Sequence, residues 1–265
     1  MSAGPVLELK GVHRSFRSPD GDDVNVLSDI HLTVAEGEFV SIVGASGCGK
    51  STLLRIIDGL IPPTAGSVLV RGREVTGPGS DRAMVFQQDN LLPWRSVIDN
   101  VAYGLVLAGV HKREARRRAQ QFIDMTGLKG FESYYPHQIS GGMRQRVNVA
   151  RALALNPDIL LLDEPFAALD AQTREIMQRE LLRIWSTERK TVLFVTHQID
   201  EAVFLSDRVI VLSARPGRVR AEIPIKLPRP RDLPMKRTAT FMKLVDDVWR
   251  LIEEEVMQAM GFAST

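Results

Sequence analysis

Three short stretches of this chain carry residues whose types and spacing suit phosphate chemistry. Gly44-Ala45-Ser46-Gly47-Cys48-Gly49-Lys50-Ser51 follows the pattern G-x-x-x-x-G-K-[ST]. Its glycines let backbone N–H groups close around phosphate oxygens at a helix N-terminus, where the helix dipole also favours negative charge. Lys50 can then reach β- and γ-phosphates, and Ser51 can offer its hydroxyl to Mg²⁺. Next, Ile159-Leu160-Leu161-Leu162-Asp163-Glu164 ends an apolar run in two adjacent carboxylates. Asp163 suits a metal shell, reached through water, and Glu164 suits a general base polarising an attacking water, worth about 10²–10⁴ in rate. Taken alone, the two acids fit a helix cap or an ion pair equally well. Finally, Ser140-Gly141-Gly142 opens a helical pattern with Met143, Val147, Ala150 and Ala154 along one face. Ser140 reads as its N-cap, and the geometry exposes the N–H groups of Gly141 and Gly142 to an anion. Standing alone, this segment would be a plain helix start.

Elements of the right kind flank these stretches. A strand is expected over Phe39 to Val43, before the loop, and a helix over Thr52 to Ile57, after it. Further strands are expected over Leu7 to Val12, Ile30 to Val34, Ser67 to Val70 and Ala83 to Phe86. Phe39 to Val43, Ile159 to Leu162 and Val192 to Val195 are nearly continuous apolar runs, the pattern of parallel strands covered on both faces. Each leads directly into polar residues, where an open α/β sheet places its ligands.

Between Val97 and Asn156 the pattern turns helical, and Lys112 to Thr126 is rich in Arg and Ala without Gly or Pro. An inserted helical subdomain is expected, spanning about residues 92–156 of a domain covering 1–235. The basic run Lys112 to Arg118 reads as a solvated helix face. Five prolines, at 216, 224, 228, 230 and 234, predict an extended connector without a core of its own. A helical tail over 236–265 follows. Its Phe241, Leu244, Val245, Val248, Ile252 and Val256 keep three-to-four spacing, so one face is buried, against its own domain or against a partner.

Bulk properties narrow the class. A length of 265 residues with 44% hydrophobic content suits one large or two closely joined globular domains. With 34 Lys plus Arg against 32 Asp plus Glu, the net charge of +2 gives no nucleic-acid footprint. The single cysteine, Cys48, cannot form an internal disulfide, in keeping with a reducing cytosol. No secretory signal is expected, and no apolar run approaches the ~20 residues that span a bilayer. The histidines at 13, 31, 111 and 137 have no metal-ligand spacing.

The phosphate loop, S-G-G-x-x-x-R from Ser140 to Arg146, L-L-L-D-E-P, Ala168-Leu169-Asp170 and Thr196-His197 resemble, in order and spacing, the motifs of ATP-binding-cassette ATPases. The resemblance covers about residues 6 to 213. It implies an α/β P-loop fold with a mixed RecA-like core, an antiparallel β subdomain and the inserted helical subdomain. It further implies ATP bound by Gly44, Ala45, Ser46, Gly47, Cys48, Gly49, Lys50, Ser51 and Thr52, with Phe16 as the adenine-stacking aromatic; as a lone aromatic, Phe16 would otherwise be core. Mg²⁺ falls to Ser51, Gln87 and Asp163, and catalysis to Glu164, Gln87 and His197, the last of which contacts the γ-phosphate. A second ATPase subunit, identical or a close paralogue, is implied in a head-to-tail dimer. There Ser140, Gly141 and Gly142 close over the partner's nucleotide, and Asp170 crosses the interface. Ile139 and Met143 stand where the commonest signature has Leu and Gln, leaving Ser140 and both glycines in place.

A lone ATPase unit without membrane spans implies separate transmembrane permease subunits, a peripheral place on the cytoplasmic face of the bacterial inner membrane and no nucleic-acid partner. Gly-Cys-Gly-Lys in the loop, residues 88 to 94, Ser-Gly-Gly-Met-Arg-Gln-Arg and Ala214-Arg215-Pro216-Gly217 resemble the nitrate, sulfonate and taurine importer group, which works with an extracytoplasmic solute-binding protein. A long regulatory domain of the maltose-importer type is not expected at this length. Leu91, Leu92, Pro93 and Trp94 are expected either to form a groove for a permease helix or to make a buried turn. The competing functions are an exporter or lipid-trafficking ATPase, and a soluble cassette of repair or translation.

Overall fold

The computed structural model describes residues 4–19, 21–88, 90–167 and 169–259, with the backbone alone at Glu188, Val256, Gln258 and Ala259. Asp89, Ala168 and the side chain of Val256, all part of the motifs above, lie outside the described residues. In chain order the elements are β1 (Leu7–Arg17), β2 (Asp23–Val34), β3 (Phe39–Gly44), α1 (Lys50–Asp58), β4 (Ala65–Val70), β5 (Arg73–Glu74), β6 (Arg82–Val85), α2 (Val97–Val101), α3 (Tyr103–Leu107), α4 (Lys112–Met125), α5 (Gly141–Ala154), β7 (Ile159–Asp163), α6 (Ala171–Glu188), β8 (Thr191–Val195), α7 (Ile199–Leu205), β9 (Arg208–Leu212), β10 (Val219–Pro224) and α8 (Ala239–Ala259). They fall into two compact units, one of residues 1–79 and 189–265, the other of residues 80–188.

In the first unit, one antiparallel sheet runs β2-β1-β4-β5. Leu7, Leu9 and Val12 point inward from β1, opposite Val34, Leu32 and Ile30 of β2. The alternation of apolar and polar residues thus leaves one face wet. The second sheet of this unit carries β3 between β8 and β9, parallel to both, with β10 antiparallel at the edge. Every residue of β3 and β8 is buried, as continuous apolar runs require. Phe39 and Phe194 pack with ring centroids 5.9 Å apart. Ser41 is polar and buried in this core, and its hydroxyl oxygen accepts from Ser206 Oγ at 2.8 Å, so burial leaves it paired.

The proline-rich stretch departs from the expectation of a connector without a core. Val219–Pro224 forms an edge strand on β9, and Ile225 and Leu227 beyond it are buried. Prolines at 216 and 224 bracket this strand rather than interrupt it, which edge pairing tolerates. The tail helix α8 buries Phe241 and Val248, packs on α7 and β9 of its own unit, and leaves Met242 and Trp249 outward.

In the second unit, β6 and β7 pair in parallel, Arg82 opposite Ile159 and Val85 opposite Leu162. Against α2 and α5, α4 turns Ala115, Ala119, Phe122 and Ile123 inward, one face at helical spacing. Its opposite face is the basic run, where Glu114 pairs with Arg117 at 2.7 Å and Arg118 at 2.8 Å. Those pairs are exposed and hold the carboxyl of Glu114 down at about 2 through hydrogen bonds from Arg117 and Arg118. The run is therefore a solvated face, as expected. Among the described residues no helix is long and apolar enough to cross a membrane.

Candidate functional site

In the first unit the phosphate loop leaves β3 at Gly44 and enters α1 at Lys50. Gly49 caps the helix in the left-handed region at φ 104°, and a Cβ there would stand 2.7 Å from Leu27 Cδ2. Only glycine satisfies both the dihedral and the packing. α1 has no side-chain cap and no acid in its first turn, so no carboxylate of its own offsets the positive end of its dipole, which favours an anion. Lys50 is buried, and its ammonium donates to Gly44 O at 2.9 Å and Ala45 O at 3.0 Å, which folds the charge into the loop. Burial pushes the Cys48 thiol up, against the opposing pull of Lys50. Ser46 and Gly47 are exposed, and Ala45, Ser51 and Thr52 are half-buried.

Phe16 lies on β1 opposite Val24, and the guanidinium of Arg14 sits 4.4 Å from its ring centroid. The ring is 38% exposed, so it is a surface aromatic carrying a cation rather than a core residue. His197 is exposed directly after β8. Arg215, singled out in the sequence only as part of the stretch Ala214 to Gly217, donates to Gly47 O at 3.3 Å, where it borders the loop.

In the second unit β7 ends with Asp163 buried and Glu164 half-buried. Glu164 adopts φ +46°, a left-handed conformation that costs a non-glycine residue about 1–2 kcal/mol. That strain, held by a turn in which Ala167 N donates to Glu164 O at 3.1 Å, fixes where the carboxylate leaves the strand. Gln87 Nε2 donates to Glu164 Oε2 at 3.4 Å.

Ser140 is the N-cap expected of it: its Oγ accepts from Met143 N at 3.3 Å. Gly141 is exposed, and a Cβ on Gly142 would stand 3.0 Å from Thr173 Cγ2, so the start of α5 lies close against the first turn of α6. That first turn is capped by Asp170, whose Oδ1 accepts from Thr173 N at 3.0 Å, and this backbone hydrogen bond holds the carboxyl below its ordinary range. A cavity of about 710 Å³ is lined by Gln87, Gln88, Gly141, Arg144, Gln145 and Leu169 among others. Gln145 is 5% exposed, and its Nε2 has no hydrogen-bond partner.

Leu91 to Trp94 divide between the two expected readings. Leu91 is buried like a turn residue, whereas Trp94 is 72% exposed. Asn100 organises the segment: it accepts from Leu92 N at 2.8 Å and donates to Leu92 O, Arg95 O and Ser96 O at 3.2, 3.0 and 3.1 Å. Fully buried, it was missed, although a polar residue inside the apolar run Val97 to Val101 was the available signal.

A family model described as ABC transporter matches residues 27–167. An uncharacterised ABC transporter ATP-binding protein of Methanocaldococcus jannaschii is 54% identical over 254 residues, covering 96% of this chain and 94% of its own. A nitrate import ATP-binding protein of Synechocystis sp. is 46% identical, covering 93% and 94%. A taurine import ATP-binding protein of Rhizobium johnstonii is 52% identical, covering 83% and 85%. Among solved structures, a dimeric ATP-binding cassette in a post-hydrolysis state bound to ADP and Pi superposes with a TM-score of 0.74 at 35% identity, covering 84% of this chain and all of that one.

Proposed function

The chain belongs to the ABC transporter family and is an ATPase of it; from that premise we propose that it powers the import of a small solute of the nitrate, sulfonate or taurine type. The observation that carries the ATPase reading is the loop after β3, where the Lys50 ammonium lies against Gly44 O and Ala45 O, ready to exchange those carbonyls for phosphate oxygens. Relatives named for nitrate and taurine import support the direction of transport.

The site residues divide the work in this reading. Gly44, Ala45, Ser46, Gly47 and Gly49 offer backbone N–H groups to the phosphates, Cys48 joins them by giving up the bond from its N–H to Ala45 O at 3.3 Å, Lys50 neutralises the phosphates, and Thr52 extends the same helix start. Phe16 offers its ring to adenine. Glu164 takes the proton of the attacking water, Gln87 orients that water and carboxylate, and His197 steadies the γ-phosphate. Ser140, Gly141 and Gly142 supply the N-terminus of α5 to the nucleotide of a second subunit, and Asp170 braces that helix start through Thr173.

Ser51, Asp163 and Gln87 offer a hydroxyl, a carboxylate and an amide oxygen, hard donors of the kind Mg²⁺ takes when phosphates supply the rest of its shell. Gln87 fits the set because its Nε2 is turned to Glu164, which leaves Oε1 as the acceptor. Bound there, Mg²⁺ supplies charge neutralisation at the phosphate oxygens.

The partners in this reading are permease subunits that span the membrane, met at its cytoplasmic face, and a second ATPase subunit. Trp94, exposed beside a segment that Asn100 pins, belongs to the surface that meets the permease. Isolating the assembled transporter with its solute-binding protein and identifying the bound molecule by mass spectrometry tests the assignment. A small anionic or zwitterionic solute, with uptake lost when the binding protein is deleted, is expected; transport in the outward direction would overturn it.

A further inference from the structure

The segment after β10 does more than join β10 to α8. Arg231 is 6% exposed, and its Nη1 donates to Val203 O, Phe204 O and Ser206 O at 3.2, 3.0 and 2.7 Å. Its Nη2 donates to Ile225 O at 3.4 Å and Leu227 O at 3.5 Å, on its own segment. One guanidinium thus ties residues 225–231 to the carbonyls that end α7, groups no helix can satisfy for itself. Arg229 adds bonds to Leu205 O at 2.8 Å and to Asp207 Oδ1 at 2.9 Å. At the other end of α7, Lys236 reaches Asp200 Oδ2 at 3.4 Å, and its ammonium lies 4.9 Å from the Phe204 ring centroid.

α7 has seven residues, too few to hold a helix by itself, so its position is set by what grips it. The residues before it are fixed to it. Thr196, 2% exposed, donates its hydroxyl to Glu201 of α7 and accepts from Gln198 N at 3.0 Å. Ala202 N donates to Gln198 O at 3.1 Å. His197 stands between Thr196 and Gln198, both bonded to α7, while Thr196 N also donates to Ile42 O of β3 at 3.3 Å.

We propose that Arg231 is a positioning residue for His197, clamping α7 at its C-terminal end so that the imidazole is held in its working place after β8. The proposal rests on the reading of His197 as the residue that steadies the γ-phosphate. It makes residues 225–237 part of the catalytic apparatus rather than a tether for α8.

The test uses the full-length chain with Arg231→Met, Arg231→Lys and His197→Ala, reading kcat and KM for ATP, and the imidazole resonance of His197, identified by its loss in His197→Ala. Arg231→Met should lower kcat about tenfold with KM within about twofold and shift the His197 resonance while those of His13, His31, His111 and His137 stay. Arg231→Lys, which keeps the charge with fewer donors, should recover part of the rate and serves alone if the Met variant does not fold. A wild-type kcat in the folded Lys variant together with an unmoved resonance would overturn the proposal. So would a fallen kcat with an unmoved resonance, because Arg231 would then act elsewhere. A wild-type rate in His197→Ala would instead refute the role of His197 itself, while a shifted resonance in the Arg231 variants would still register the clamp.

Discussion

Gln87 Nε2 lies 3.4 Å from Glu164 Oε2, at the long end of hydrogen-bond range, and Glu164 itself holds a strained φ of +46°. A carboxylate aimed by its backbone and met by an amide has a fixed direction, which suits a base. Glu164→Gln should bind ATP with near-normal affinity and lose about 10²–10⁴ of its turnover. Gln87→Ala should lose less, because the backbone still aims Glu164. Single-turnover hydrolysis alongside equilibrium ATP binding separates these outcomes.

Gly49→Ala is expected to cost about 2–3 kcal/mol, combining a left-handed dihedral with a Cβ 2.7 Å from Leu27 Cδ2. Its denaturant midpoint should fall accordingly, and nucleotide binding should be lost. Lys50→Ala should leave the midpoint nearly unchanged and still lose binding. That contrast separates the loop's shape from its charge.

Asn100→Ala takes the side-chain partner from Leu92 N and Arg95 O, while Leu92 O and Ser96 O keep the N–H groups of Arg95 and Asn100, a loss of about 1–3 kcal/mol. Hydrogen exchange in residues 90–96 should quicken. ATP hydrolysis by the chain alone should stay near wild type, while solute uptake by the assembled transporter should fall. Uptake that stays normal despite faster exchange would remove this segment from the coupling path.

Asp99 ties α2 to α4 through a two-pronged pair with Arg116 at 2.8 and 2.7 Å, and the hydrogen bonds from Arg116 hold its carboxyl below the ordinary 3.8. A carboxyl depressed in the folded state contributes stability that is fully present above its unfolded value and is lost as pH falls through the folded one. Arg116 is 45% exposed, so the contribution is under about 1 kcal/mol. Urea midpoints from pH 6 down to 3 should therefore fall more steeply below about pH 4 in wild type than in Asp99→Asn.

What the sequence disclosed and what it concealed follow the range of the interactions. The loop from Gly44 to Ser51 and the cap at Ser140 depend on neighbours within a few residues, so spacing alone revealed them. Asn100 binds carbonyls of an irregular segment, and no periodicity records such partners. Residues 215–234 misled because prolines mark an edge strand and a free connector alike; only pairing with β9 distinguishes them. Arg231 was silent for a related reason, since its acceptors lie on α7, a contact formed by folding rather than by pattern. Of the tail's apolar stripe, Phe241 and Val248 are buried while Leu244, Val245 and Ile252 are half-buried, so spacing named the face but not its depth.

In the proposed mechanism two subunits close over ATP through Ser140 to Gly142, and Glu164→Gln isolates that step by allowing binding without turnover. Sedimentation of this variant with and without Mg-ATP measures it most directly. A monomer is expected without nucleotide and a dimer holding two ATP with it. An ATP-saturated variant that remains monomeric, in solution and together with its permease subunits, would contradict it.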